Sequence, residues 1–253
     1  MTHAPYTLTG PIGTKATLGL IVLQVDETIE QDFRRLFRDP AIALYVSRIP
    51  SGADLTPETI ATMKTTLPGA AALLPPAASF DAVGYACTSG TTLIGADHVT
   101  QLVSGACQTR AVANPLSAAL AALAHLRVGS VAIVSPYTPR VAQPIQQAFE
   151  QAGLRVPQTL SFGEEIEARV ARIAPNSIAQ AALQVGRAPG VEAVFLSCTN
   201  LRTLDIIDDL EQRLGLPVIS SNQALAWHMA KFAGVATAAT RGPGRLLRDS
   251  AAL

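Results

Sequence analysis

Short apolar runs alternate along this chain with longer stretches whose apolar positions recur at helical spacing. The pattern predicts strands at 18–23 (LGLIVL), 42–49 (IALYVSRI), 82–87 (AVGYAC) and 110–113 (RAVA). Four more are predicted at 131–135 (VAIVS), 154–160 (LRVPQTL), 192–197 (EAVFLS) and 217–220 (PVIS). Continuous apolar strands separated by helical segments are the mark of parallel sheets covered by helices. Helix boundaries follow from local chemistry. Thr56-Pro57 reads as an N-cap and first-turn proline, and Ser117 as the cap of SAALAALAHL, with Gly129 ending that stretch. Thr199 is the expected cap of a helix running to Gly215, and Ser221 or Asn222 of one running to Gly234. Pro144 predicts a late start or a kink in QPIQQAFEQAG.

The two halves of this pattern repeat. DAVGYACTSGTTL from Asp81 and EAVFLSCTNLRTL from Glu192 agree at six of thirteen positions, and Cys87 and Cys198 fall in register 111 residues apart. VAIVS matches GLIVL at nearly the same offset, 112 residues. The expected fold class is therefore α/β with two pseudo-symmetric lobes. Each is a four-stranded parallel sheet flanked by helices, with the active site in the cleft between them. Residues 1–114 form the expected first lobe and 115–221 the second, with a C-terminal helix at 222–253 packing back on the first.

Composition narrows the function classes. Of 253 residues 49% are apolar and 15% charged, which suits a large core rather than disorder. Lys+Arg and Asp+Glu are equal at 19 each, so nothing electrostatic calls for nucleic acid or an anionic membrane. No run reaches the roughly 18 apolar residues of a membrane span. Lys15 precedes a short apolar run that leads into acidic residues, which is not the layout of a signal peptide. Three cysteines without a CxxC pair argue against a disulfide framework or a zinc knuckle. His3, His98, His125 and His228 show no ligand spacing, so no metal is expected. No GxGxxG follows a strand, so no nucleotide cofactor is expected. A cytoplasmic protein acting on a small molecule is the expectation, with homo-oligomerisation left open.

The chemistry is expected at the cysteines. Ligands of open α/β sheets bind at the carboxyl ends of strands, where both Cys87 and Cys198 stand. A helix starting after each would lower the thiol's pKa from about 8.5 toward neutrality. The same N–H groups, with Thr88, Ser89 and Thr199, could hold a carboxylate or enolate oxygen. Facing lobes would set the two sulfurs on opposite sides of a substrate, for proton removal and delivery or for covalent attack. Cys107 reads as a small hydrophobe. Arg202 reads as the partner of Asp205, and Asp26 and Glu27 as either an acidic first turn or part of the site.

LGLIVLQVDETIEQDF, YACTSGTT, VSPYTP and LSCTNLRTLDIIDDLEQRLGLPVISS, in that order, resemble the aspartate/glutamate racemase superfamily. The resemblance covers nearly the whole chain. It is closest to the branch of maleate isomerases, arylmalonate decarboxylases and ectoine-utilisation proteins. The resemblance implies catalytic roles for Cys87 and Cys198. It implies substrate contacts at Thr88, Ser89, Tyr137, Thr199 and Asn200. Arylmalonate decarboxylases keep only the second cysteine, so Cys87 speaks for two-thiol chemistry over simple decarboxylation. Maleate isomerases carry Asn where this chain has Asp26 and Glu167. Carboxylates there would repel a dianion, by about 4 kcal/mol for two charges 4 Å apart at an effective dielectric of 20. They would welcome a cationic group. What the resemblance implies is a cofactor-independent racemase, epimerase or isomerase acting beside a carboxylate, with inversion of hydroxyectoine or a related compound as the particular expectation. Maleate cis–trans isomerisation, arylmalonate-type decarboxylation and non-catalytic ligand binding are the alternatives.

Overall fold

The structure is a computed structural model that describes residues 3–52, 54, 56–236 and 242–249. Strands β1 (Ala16–Leu23), β2 (Ile42–Ile49), β3 (Ala82–Ala86) and β4 (Val112–Ala113) form one parallel sheet in the order β2-β1-β3-β4. Strands β5 (Val131–Ser135), β6 (Thr159–Ser161), β7 (Ala193–Leu196) and β8 (Val218–Ser220) form a second in the order β6-β5-β7-β8. The orders are identical under the repeat, as expected of a duplicated lobe. Central strands β1, β3, β5 and β7 are buried at every position, which explains their unbroken apolar runs.

Helices α1 (Ile29–Leu36) and α2 (Pro57–Ala72) connect the first three strands. Two short helices, α3 (Thr88–Ile94) and α4 (Ala96–Ser104), lead to β4, and α5 (Pro115–His125) leaves it. In the second lobe α6 (Pro139–Gln151), α7 (Glu167–Val170), α8 (Pro175–Gly186) and α9 (Ile207–Leu214) connect the strands. Helix α10 (Ser221–Ala233) follows β8, and α11 (Arg245–Asp249) comes last.

Several boundaries differ from the sequence expectation. Asn114, not Ser117, caps α5, because Pro115 takes the first helical position and Asn114 accepts the Ser117 N–H at 2.8 Å. Ser220 caps α10 through a reciprocal box with Gln223, one residue earlier than expected. Helix α6 starts at Pro139 and runs continuously through Pro144. Strand pairing in β4 and β6 covers only two and three residues, shorter than the apolar runs suggested. Thr199 caps no helix. After Cys198 the chain makes an irregular turn and a 3₁₀ turn at Leu204–Ile206 before α9 begins. Gly215 and Gly234 end their helices in left-handed conformation as expected, at φ 71° and 65°.

The C-terminal segment divides between the lobes rather than forming one helix. Helix α10 crosses back onto β1, β3 and β4 and packs along α5 and α1. Helix α11 packs against α10 and is tied to α9, where Arg248 pairs with Asp208 and Glu211 and the Arg245 N–H donates to Glu211. Residues 237–241 and 250–253 of the expected helix lie outside the described residues. The α10 contact is close enough to require a glycine. A Cβ on Gly84 of β3 would lie 2.6 Å from Met229 Sδ. Gly84→Val is therefore expected to destabilise the fold by about 1–3 kcal/mol through overpacking, read as a lower urea midpoint at unchanged m-value.

Candidate active site

Cys87 leaves β3 in extended conformation and is the N-cap of α3, its Sγ accepting the Gly90 N–H at 3.2 Å. Ser89 Oγ lies 3.7 Å from the same sulfur. Tyr85, two residues earlier and so on the same strand face, brings its hydroxyl to the thiol as well. A Cβ on Gly90 would lie 2.6 Å from Tyr85 Oη and 2.8 Å from Cys87 Sγ, so only glycine leaves room for this pair.

Cys198 occupies the equivalent end of β7, with φ 157°. Tyr137 and Asn200 lie beside its sulfur. Its own N–H donates to Ser221 Oγ at 3.1 Å, and Ser221 Oγ is 2.9 Å from Thr88 Oγ1. Thr199 Oγ1 donates to the Ala86 carbonyl at 3.3 Å. These bonds sew the second cysteine motif to the first across the lobes.

Two carboxylates complete the cluster. Asp26, in the turn after β1, accepts the Thr28 and Ile29 N–H groups on Oδ1, at 2.8 and 2.9 Å. Arg48 braces that turn by donating to the carbonyls of Leu23, Gln24 and Asp26. Glu167, at the start of α7, accepts Asn200 Nδ2 on Oε1 at 3.0 Å. The second oxygen of each, Asp26 Oδ2 and Glu167 Oε2, is buried and has no hydrogen-bond partner. The Asn200 side chain is fully engaged, holding Glu167 on one side and the Glu27 N–H on the other. So Asp26 is at once the first-turn cap and a member of the cluster.

Burial governs the ionisation of every group here. It raises the Asp26 carboxyl, the Glu167 carboxyl to about 7, and the Cys87 thiol to about 11. The Cys198 thiol is raised well above its ordinary value, first by burial and then by the charge of Glu167. The expected lowering toward neutrality does not occur. Loss of hydration outweighs the one N–H that α3 offers Cys87, and Cys198 has no helix N-terminus behind it. A cavity of about 10 Å³, room for one water, is lined by Cys87, Ser89, Glu167, Asp54 and Met63, and not by Cys198 or Asp26. Asp54 also bridges to Ile166, and Glu58 pairs with Arg140, two contacts that join the lobes.

Every sequence-predicted site residue lies at a strand's carboxyl end or in the turn or helix start that follows it and is at most 4% exposed. Sequence reasoning missed Tyr85, Ser221, Asn222 and Asp32. Tyr85 was findable from its i−2 spacing to Cys87, and Ser221 and Asn222 from the end of β8. Asp205, expected to pair with Arg202, is instead held by Arg35 of α1. Cys107 is half-buried and donates to the Val103 carbonyl. His125 and His228 pack against Trp227. Among the described residues no His/Cys/Asp/Glu group could hold a metal ion, and no helix is long and apolar enough to cross a membrane. A larger cavity of about 300 Å³ between α6 and β6 contains none of the ionisable groups above.

Duplicated parallel lobes with cysteines at equivalent strand ends define the class: this is a fold of the aspartate/glutamate racemase superfamily. Residues 70–247 match the arylmalonate decarboxylase family model, and the chain belongs to that family. Arylmalonate decarboxylase of Bordetella bronchiseptica is 29% identical over 241 residues, covering 92% of this chain and 97% of that protein. The structure of maleate isomerase from Pseudomonas putida superposes with a TM-score of 0.81 at 22% identity, over 92% of this chain and 98% of its own. A Nocardia farcinica maleate cis–trans isomerase variant with a covalently bound succinylcysteine intermediate gives 0.82 at 20% identity, over 92% and 98%. At such identities these two structures establish the fold.

Because Glu167 is more easily protonated in the fold than in the open chain, its contribution to stability is complete below about pH 4.5. It is lost as the pH rises through about 7. Glu167→Gln is therefore expected to raise the thermal midpoint by roughly 5 °C at mildly alkaline pH. The gain should vanish under acid conditions where wild-type Glu167 is already protonated. Calorimetry of both proteins across pH measures the difference.

Proposed function

We propose that the protein is a cofactor-independent racemase, epimerase or isomerase whose Cys87 and Cys198 act as a thiolate/thiol pair beside a substrate carboxylate. The observation that carries this reading is that two buried thiols stand at matched strand ends of the two lobes, their motifs joined by the hydrogen bonds of Thr88, Ser221 and the Cys198 N–H. One cysteine, as thiolate, takes the proton from the carbon next to the carboxylate. The other, as thiol, returns a proton to the opposite face, and the two exchange protonation states in the process. Thr88, Ser89, Tyr137 and the N–H groups around Thr199 and Asn200 hold the carboxylate and the developing enolate oxygen.

The unpaired oxygens of Asp26 and Glu167 favour a substrate that also carries a cationic group. Binding of that cation offsets the carboxylate charge that adds to burial in keeping the thiols protonated, so thiolate forms more readily when substrate is bound. A substrate with an amidine or amine beside a carboxylate satisfies both requirements, and inversion of hydroxyectoine or a related intermediate is the specific assignment. It would be a cytoplasmic activity. The second reading is covalent cis–trans isomerisation, in which one thiolate adds to a double bond, allows rotation and leaves. The succinylcysteine found in the Nocardia farcinica relative favours it.

Stereoisomers of ectoine-type, amino-acid and maleate substrates incubated in D₂O separate the two. Inversion by proton transfer places deuterium at the reacting carbon. Cys87→Ser and Cys198→Ser should each lower turnover by about 10²–10⁴-fold. Turnover without deuterium uptake, or maleate conversion with a trappable thioether, would replace the first reading with the second. Ligand binding with no turnover in the wild type would reject both.

A further inference from the structure

Ser221 is the first residue of α10 and lies wholly inside the protein. It does not cap that helix, because Ser220 does so through its box with Gln223. Its Oγ instead accepts the Cys198 N–H at 3.1 Å and stands 2.9 Å from Thr88 Oγ1. Among the described residues neither hydroxyl has another hydrogen-bond partner.

Two hydroxyls carry two hydrogens, and the contact between them uses one. The other is buried without an acceptor, since Thr88 is 1% and Ser221 0% exposed. Elsewhere on α3 such hydrogens are taken up one turn back. Thr91 donates to the Cys87 carbonyl and Thr92 to the Thr88 carbonyl. Thr88 and Ser221 begin their helices and have no helical carbonyl one turn back. A tie that served only to join the lobes would leave no donor unpaired, because a buried unpaired hydroxyl destabilises the fold. Ser221 already accepts the Cys198 N–H, and donating its own hydrogen to Thr88 gives it one bond of each kind. The spare hydrogen is then that of Thr88, between Cys87 and the Ser89 that lines the small cavity.

We propose that Ser221 is a positioning residue that donates to Thr88 and so leaves the Thr88 hydrogen for a carboxylate oxygen of the substrate. The Cys198 N–H holds Ser221 in the orientation this requires, so the second lobe sets a donor of the first. The proposal rests on the reading of Thr88 as a carboxylate contact, but it concerns binding and needs no reaction at either thiol.

Calorimetric titration of the full chain with ectoine, a zwitterionic carboxylate, and separately with maleate, a dianionic one, tests it. Ser221→Ala should weaken binding of whichever ligand the wild type takes by about ten-fold, the loss of one oriented bond to a charged group. Thr88→Val should weaken it at least as much, and the double variant should bind no more weakly than Thr88→Val alone. A lower thermal midpoint in Ser221→Ala with affinity within about two-fold of wild type would make Ser221 a structural tie and overturn the proposal. Additive losses in the double variant overturn it, as does a wild type that binds neither carboxylate. If Ser221→Ala does not fold, Ser221→Cys takes its place. Its S–H is a weak donor of similar shape, and unchanged affinity there overturns the proposal. Turnover by Cys87→Ser and Cys198→Ser is judged separately, since those variants keep both hydroxyls and test the thiol chemistry alone.

Discussion

Two thiols and two carboxylates are buried where the lobes meet, and each can carry negative charge there only against lost hydration. That loss is what pushes all four groups toward their protonated forms. The hydrogen bonds around them limit it. Asp26 draws on two backbone N–H groups, Glu167 on Asn200, Cys87 on Gly90 and Cys198 on Asn200. Each carboxylate nevertheless keeps one oxygen without a donor. On the function proposed above, such a pocket favours a ligand that brings its own donors and positive charge, with thiolate forming once that ligand is bound.

The duplicated lobes make the two cysteines equivalent in position but not in surroundings. Cys87 sits at the start of a helix, with Ser89 and Tyr85 close by. Cys198 sits in a turn, with Tyr137 and Asn200 beside it and the Thr199 carbonyl held by Asn222. Such asymmetry matters for chemistry that uses the two faces of one carbon, because the forward and reverse directions then begin from thiols of different acidity. The lobes are joined by the same residues that build the site. Thr88, Ser221 and the Cys198 N–H form one chain, and Thr199 reaches the Ala86 carbonyl. Separating the lobes would take apart the catalytic arrangement as well as the fold.

Membership of the arylmalonate decarboxylase family sets the scaffold and leaves the reaction to the side chains, since function is carried by the site rather than by the fold. Here the distinguishing features are a thiol at both matched strand ends and a pair of carboxylates beside them. Both arise from a few positions at strand ends, where substitution changes chemistry without disturbing the sheet.

The eight strands, their parallel arrangement and the doubling were legible in the chain because central parallel strands are buried on both faces and must be apolar throughout. The cysteines were legible through their register in the repeat, and Asp26 and Glu167 only through a resemblance to known families. What tertiary structure decided was ionisation and partnership. No local pattern reveals that α10 returns to the first sheet, that Arg35 rather than Arg202 takes Asp205, or that no helix follows Cys198. A helix N-terminus lowers a thiol's pKa in any local reading. Only the packing of both lobes reveals how little water remains to hydrate the charge, and at Cys87 and Cys198 that shortage is the larger effect.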